Sequence, residues 1–148
     1  MIKDKLRIDY ESIFPRSEEL LYYFSPGRIN VIGEHIDYNG GLVFPCAISL
    51  GTYAIVSLRK DKKISVYSES VPKVGVITFD LRKELCKKNN WADYVKGVID
   101  EIKKTGCNVT QGFNAYIYGN LPKGASVSSS ASLELLFAEI VKEVNNLD

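Results

Sequence analysis

The sequence predicts an α+β domain, and three observations support this. Strand-like stretches with two-residue alternation and β-branched side chains fill the first half of the chain, as in residues 53–58 and 64–68. Helical spacing dominates only later, in residues 91–104 and 128–144. The length of 148 residues, with 45% apolar and 25% charged residues, is typical of one globular domain. Strands that come first, with helices inserted late, favour α+β over a regularly alternating α/β sheet.

Short apolar runs bounded by turn residues locate the remaining strands. These strands are predicted at residues 20–24, 29–32, 76–79 and 112–118, with a further one directly after Gly51. Ser25, Pro26 and Gly27 are expected to end the first strand. Residues 61–63 are expected to form a hairpin turn, so the strand at 64–68 would pair with the strand before it.

Two helices are predicted from apolar side chains that recur on one face. The first has Gly106 as its expected stop and the face Trp91, Val95, Val98, Ile99 and Ile102. The second has the face Leu133, Leu136, Phe137, Ile140, Val141 and Val144. Residues 9–20 are expected to form short helical turns that Pro15 interrupts.

Charge and cysteine content exclude several classes of protein. The 19 basic and 18 acidic residues give a net charge of +1, so no positive field exists to attract nucleic acid or an anionic membrane. No apolar run approaches the roughly 20 residues of a membrane helix, and residues 1–11 lack the apolar core of a signal peptide. Cys46, Cys86 and Cys107 form no C-x-x-C pair, and one histidine gives no zinc pattern. We therefore expect a cytoplasmic protein.

Residues 24–41 have the composition of a polar ligand site. They contain Arg28, Glu34, Asp37 and the sole histidine, His35, among four glycines. Carboxylates accept hydrogen bonds from hydroxyls, and imidazole adds a donor or acceptor, which suits a polyol such as a sugar. A solvated turn with a hydrogen-bonded histidine is an equally good interpretation of these residues. A metal site is less compatible, because this spacing matches no standard ligand pattern.

Residues 121–132 have the composition of a phosphate loop. Gly124, Ala125 and Ser126 come before three consecutive serines that begin a helix. The N–H groups of a helix's first turn favour an anion, and small side chains let a phosphate approach the backbone. Because Lys123 precedes the glycine and no G-K-[ST] follows, this is not a Walker A loop. The alternative is that the serines only cap the helix.

Three blocks together resemble one enzyme family. Residues 26–41 resemble the galactokinase signature, and residues 121–132 resemble the phosphate loop P-x-G-A-G-L-S-S-S-A-S of the GHMP small-molecule kinases. Residues 91–98 are similar to the galactokinase segment W-x-x-Y-V-K-G. The resemblance implies that residues 1–148 form an incomplete N-terminal GHMP-kinase domain of the ribosomal-protein-S5 domain 2-like type. It also implies ATP-dependent phosphorylation of the anomeric hydroxyl of galactose, with Mg²⁺.

The resemblance assigns roles to individual residues. Glu34, His35 and Asp37 would bind the sugar, and Arg28 would stabilise charge in the transition state. The nucleotide would contact Ser68, Gly124, Ala125, Ser126, Val127, Ser128, Ser129 and Ser130. The hydroxyl of Ser130 would also reach Mg²⁺. Trp91 would lie toward the adenine, although a core tryptophan that anchors the helix is an equal alternative.

Other functions share these motifs. A kinase for N-acetylgalactosamine, a non-catalytic sensor that binds sugar and ATP, and a functionless fragment of a broken gene are all compatible with the sequence. The intact run of serines at 128–130 favours the enzyme lineage.

Family members also continue well beyond residue 148, through the catalytic aspartate, a magnesium-binding glutamate and a C-terminal lobe. We therefore expect this chain to be truncated before that lobe and to be inactive, or nearly so, alone. The face of the last helix and one side of the sheet would then lose their covering, which predicts self-association or marginal stability.

Restoring the family's glycine at position 126 tests the phosphate-loop interpretation. Serine tolerates positive φ angles less well than glycine, so Ser126→Gly is expected to raise nucleotide affinity if this position needs such a φ. Titration calorimetry with ADP measures the change. Unchanged or weaker binding would contradict the expectation.

Overall fold

The computed structural model describes residues 2–33, 36, 39–122 and 128–147. Its centre is a five-stranded mixed sheet with strand order β1-β2-β5-β3-β4. The strands are β1 (Leu21–Ile32), β2 (Phe44–Leu58), β3 (Lys63–Ser68), β4 (Ile77–Asp80) and β5 (Phe113–Gly119). The helices are α1 (Ile2–Ile13), α2 (Ala92–Lys104) and α3 (Ser129–Val144). The predicted α+β class is confirmed, and no helix in the described ranges is long and apolar enough to cross a membrane.

Helices cover both faces of the sheet. On one face α2 and α3 bury the main core, which contains Ala54, Val56, Ile64, Val66, Val95, Ile99, Phe113, Ala115, Phe137 and Ile140. On the other face α1 packs Leu6, Tyr10 and Phe14 against Ile55 and Tyr116. Alternate residues of β2, such as Ile55 and Val56, therefore serve opposite cores.

The last helix is better covered than the sequence indicated. Leu136, Phe137, Ile140 and Val141 on α3 are buried in the main core, so the expectation that this face loses its covering was wrong. The helix packs against α2, β1 and β2 within this chain. Helix α1 also differs from its prediction, because it begins at Ile2 and ends at Ile13, just before Pro15.

The first strand is continuous where a turn was predicted. Strand β1 runs through Pro26 and Gly27, and its register with β2 shifts between Pro26 and Arg28. An edge strand tolerates proline because its outward side needs no N–H donor. The bulge takes up the irregularity that the sequence suggested as a chain reversal.

The predicted hairpin between β2 and β3 was also wrong. Strand β5 lies between them, antiparallel to β2 and parallel to β3. The connection from Arg59 to Lys63 therefore crosses the start of β5. A Cβ at Gly112 would lie 2.2 Å from the carbonyl oxygen of Asp61, so only glycine leaves room for this crossing.

Strands β1 and β2 extend past the rest of the sheet as a two-stranded arm, residues 28–32 and 44–47 with the adjoining Leu42. The last β5 partner of β2 is at Thr52, but pairing between β1 and β2 continues to Ile32 and Phe44. Exposed apolar side chains concentrate on this arm, including Val31, Ile32, Phe44 and Leu42, which is 95% exposed. Most of the uncovered apolar surface in the described residues therefore lies on the arm, whereas the predicted apolar face of the last helix is covered.

Two glycine substitutions test how closely β1 and β2 approach. A Cβ at Gly51 would lie 2.2 Å from the carbonyl oxygen of Ser25, so Gly51→Ala is expected to lower the unfolding free energy by about 1–3 kcal/mol. Gly97 in α2 has open space around a Cβ, so Gly97→Ala is expected to raise it by roughly 0.5–1 kcal/mol. Denaturant unfolding measures both, and equal effects of the same sign would contradict the strand geometry.

Candidate functional site

One edge of the sheet gathers several of the predicted site residues. Strands β3 and β5 are parallel, so their C-terminal ends, at Ser68 and Gly119, lie at the same edge. The antiparallel pairing places Thr52 opposite Gly119 and Ser25 opposite Thr52. The serine-rich loop that follows β5 therefore leaves the sheet beside Ser68 and beside the part of β1 that leads to Arg28.

The start of α3 is fixed to this edge by Ser132. The Oγ of Ser132 lies 2.9 Å from the carbonyl oxygen of Ser25 and 2.9 Å from Thr52 Oγ1. A carbonyl can only accept, so the Ser132 hydroxyl donates to Ser25 and the Thr52 hydroxyl supplies the second bond. Ser132 is only 2% exposed, and all three residues are buried. The helix start, β1 and β2 consequently keep one fixed arrangement.

Among the described residues, no side chain caps the first turn of α3. Ser128 is the N-cap position, but its side chain makes no capping hydrogen bond. Its backbone is left-handed, with φ 57° and ψ 44°, and its carbonyl accepts the Ser132 N–H at 2.9 Å. Ser129 and Ser130 are exposed. The interpretation that Ser128 merely caps the helix does not hold, and the first-turn N–H groups can face an anion.

The other predicted residues fall into two groups. Glu34, His35, Asp37 and residues 124–127 lie outside the described residues. Arg28 is exposed on the arm, opposite Ala47, and its side chain makes no hydrogen bond or ion pair with the part of the chain that the structure describes. Ser68 is buried, and its Oγ accepts the Ser70 N–H at 3.3 Å.

A cleft of about 1220 Å³ lies between α2 and α3. One side of the cleft, called its wall here, is the segment before α2, residues 87–91. The lining includes Lys87, Asn89, Asn90, Trp91, Tyr94, Val98, Ala131, Glu134 and Leu135. Trp91 is half-buried, and its Nε1–H is buried and has no hydrogen-bond partner among the residues that the structure describes. Ala131 lines the cleft directly after Ser130, so the cleft is continuous with the open N-terminus of α3.

Sequence analysis missed two residues of this cleft. Tyr94 and Leu135 are large and lie outside the apolar faces predicted for their helices, and Leu135 is 65% exposed. Both could have been found from the sequence, because each is a large side chain on the side of an amphipathic helix that is expected to face solvent. Trp91, considered for both an adenine contact and a core anchor, lines the cleft and also packs against the core.

Polar contacts fix the wall of the cleft. Asp93 accepts the backbone N–H groups of Lys88 at 3.1 Å and of Asn90 at 3.2 Å, and it pairs with Lys96 at 2.9 Å. Partial burial raises the pKa of Asp93, but the bonds from Lys96, Lys88 and Asn90 outweigh it and lower the pKa to about 2. The carboxylate is therefore ionised at neutral pH.

A protein-only metal centre is absent from the described ranges. Within residues 2–33, 36, 39–122 and 128–147, no three His, Cys, Asp or Glu side chains come close enough to hold a metal ion. Ser130, whose hydroxyl the family resemblance assigns to Mg²⁺, is exposed in the first turn of α3.

Comparison with known proteins identifies the family. Residues 9–58 match the galactokinase galactose-binding signature, and residues 93–148 match the N-terminal domain of GHMP kinases. Over 142 residues the chain is 49% identical to galactokinase from Clostridium acetobutylicum. The matched region covers 94% of this chain and 36% of that protein. The chain belongs to the galactokinase family. It corresponds to the N-terminal part of its galactokinase relatives and spans about 36% of their length.

Solved structures agree with this family membership. The crystal structure of Lactococcus lactis galactokinase complexed with galactose matches all of this chain and 38% of that one, with a TM-score of 0.93 at 45% identity. Mevalonate kinase from Methanococcus jannaschii has a TM-score of 0.74 at 18% identity, covering 90% of this chain and 43% of that chain. The second match shows a shared fold only.

A glycine at position 128 tests the strained start of α3. A left-handed conformation costs a side-chain-bearing residue about 1–2 kcal/mol, so Ser128→Gly is expected to raise the unfolding free energy by about 1 kcal/mol. Ser129→Gly is the matched control, because Ser129 is helical and glycine there is expected to cost about 0.5 kcal/mol. Chemical unfolding followed by Trp91 fluorescence measures both. A loss of stability in both variants would contradict the backbone assignment.

Proposed function

We propose that this chain forms the sugar- and nucleotide-binding half of a galactokinase, whose reaction is ATP-dependent phosphorylation of the anomeric hydroxyl of galactose. The single observation that carries the proposal is the bonding of Ser132 to both Ser25 and Thr52. Through these bonds the open N-terminus of α3 is held beside the strand that leads to Arg28. A phosphate donor and a sugar acceptor bound at these two places would be neighbours, as phosphoryl transfer requires.

The nucleotide would occupy the cleft between α2 and α3. Trp91, Tyr94 and Leu135 offer apolar and aromatic surface to a purine. Because the cleft leads to Ser130 and the first turn of α3, an adenosine placed there would direct its phosphates toward open N–H groups. Residues 124–127 and Ser68 would complete the phosphate contacts.

Magnesium fits this arrangement through few protein ligands. Mg²⁺ usually binds one or two protein groups together with water and substrate phosphates, so the exposed hydroxyl of Ser130 would suffice on this side. When bound, the ion would neutralise charge on the phosphates. The lack of a carboxylate cluster among the described residues agrees with this mode of binding and not with a protein-only centre.

The sugar would bind at the loop that joins the two strands of the arm. Glu34, His35 and Asp37 supply acceptors and an imidazole for the hydroxyls. Arg28 lacks an ionic partner in the described part of the chain, so its guanidinium would be available for charge that develops during transfer. Lactococcus lactis galactokinase, the structural relative, binds galactose.

The proposal also covers localisation, self-association and activity of the isolated chain. The protein would act in the cytoplasm, because Cys46, Cys86 and Cys107 are free. The exposed apolar side chains of the arm would favour self-association of the isolated chain. Catalytic inactivity of this chain alone stays a prediction.

Two tyrosine variants test the nucleotide site. Tyr94 lines the cleft and is 46% exposed, whereas Tyr22 on β1 is 37% exposed and lies outside it. Tyr94→Ala is expected to weaken ADP binding about tenfold, because stacking of a base on an aromatic ring contributes ~1–3 kcal/mol. Tyr22→Ala is expected to leave ADP affinity unchanged. Titration calorimetry measures both, and the same assay with galactose and N-acetylgalactosamine identifies the preferred sugar.

Two outcomes would count against the proposed site. Equal ADP affinity in the wild type and Tyr94→Ala would place the nucleotide elsewhere. Binding of neither ADP nor galactose by the wild-type chain would contradict the proposal that these residues form a binding half.

A further inference from the structure

Lys96 is a buried lysine whose charge serves the wall of the cleft. Its side chain is only 5% exposed, which is unusual for lysine. The Nζ donates to Asp93 Oδ1 at 2.9 Å and to the carbonyl oxygen of Cys86 at 3.1 Å, and it lies 5.9 Å from the centre of the Phe79 ring. These contacts tie α2 to the segment before it.

Asp93 extends this connection into the wall itself. Its two oxygens accept the N–H groups of Lys88 and Asn90, and the Asn90 side chain accepts the Ala92 N–H at 3.0 Å. Residues 84–90 have no strand or helix hydrogen bonds, and Asn89 between the two contact points is left-handed, with φ 57°. The shape of this segment therefore depends on the carboxylate that Lys96 holds.

The pair contributes to geometry more than to stability. A buried ion pair gains little net free energy, because the cost of removing both charges from water offsets their attraction. Its bonds, however, reach the backbone on either side of Asn89, which lines the cleft next to Trp91. Binding surfaces bind well only when such supporting contacts keep them in one arrangement.

We propose that Lys96 is a positioning residue for the nucleotide: through Asp93 and the Cys86 carbonyl, it fixes residues 87–91 as the wall against which the purine packs. This inference rests on the proposed nucleotide site. Lys96 does not line that cleft. Its effect would therefore pass entirely through the wall.

Substitution of two lysines on α2 tests the inference. Lys96→Met keeps the length and volume but removes the charge and both bonds. Lys103→Met is the matched control, because Lys103 donates to the carbonyl oxygen of Leu81 at 3.0 Å and lies outside the cleft. We expect Lys96→Met to weaken ADP binding about five- to tenfold and Lys103→Met to leave it unchanged.

Trp91, the only tryptophan, gives a second measurement that needs no ligand. Without ADP, acrylamide is expected to quench Trp91 fluorescence more strongly in Lys96→Met than in the wild type or Lys103→Met. A change in overall stability alone would not move this signal below the unfolding transition. Asp93→Asn, which is nearly isosteric, is expected to increase quenching in the same way and decides the matter if Lys96→Met does not fold.

The outcomes separate the two proposals. If Lys96→Met or, should that variant not fold, Asp93→Asn retains wild-type quenching, the positioning role is wrong. Equal loss of ADP affinity in both lysine variants would also overturn it, since that indicates a general effect on the fold. If the wild-type chain does not bind ADP, the proposed nucleotide site fails, and quenching alone then decides whether Lys96 fixes the wall.

Discussion

The hydroxyl of Ser132 is the contact on which the arrangement of the site depends. It lies between the Ser25 carbonyl and the Thr52 hydroxyl, two buried polar groups at the edge of the sheet. An apolar side chain at this position would leave both groups without a partner, which costs more than the bonds contribute when formed. The start of α3 therefore packs against β1 and β2 in a single arrangement.

The position of the site follows from the topology of the sheet. Parallel β3 and β5 end at the same edge, and antiparallel β2 passes this edge at Thr52, after it has left the arm. Backbone groups at such an edge have incomplete ladders and can turn to a ligand. One face of α3 is buried in the main core, which fixes the helix against the sheet. Residues at this edge are thus supported by rigid elements.

Local patterns in the sequence predicted local structure well and pairing poorly. Both later helices and the strands β3, β4 and β5 lie within one or two residues of their predictions, because periodicity reports which face is buried. The turn predicted at Pro26 and Gly27 was wrong, because a position on an edge strand and a bulge override the turn preference of these residues. The wrong hairpin has a non-local cause: only the bare backbone of Gly112, about 50 residues away, lets the connection after β2 cross β5. In the candidate site, serine composition predicts a phosphate loop, and residues 124–127 of that loop lie outside the described residues. The contacts of Lys96 could not be predicted, because they depend on how the segment before α2 folds onto the helix.

Ser132 and Lys96 illustrate one physical rule at two places. Each is a buried polar side chain on a helix whose partners include backbone groups of a segment outside that helix. The Cys86 carbonyl lies in a segment without strand or helix structure, so Lys96 helps to determine the conformation of that segment. The Ser25 carbonyl lies in β1, so Ser132 fixes α3 against the sheet. Apolar residues of similar volume would fill the same space without directing it. The chain therefore uses polar burial where one element must be fixed to another in a single arrangement and apolar burial where only the core must be filled.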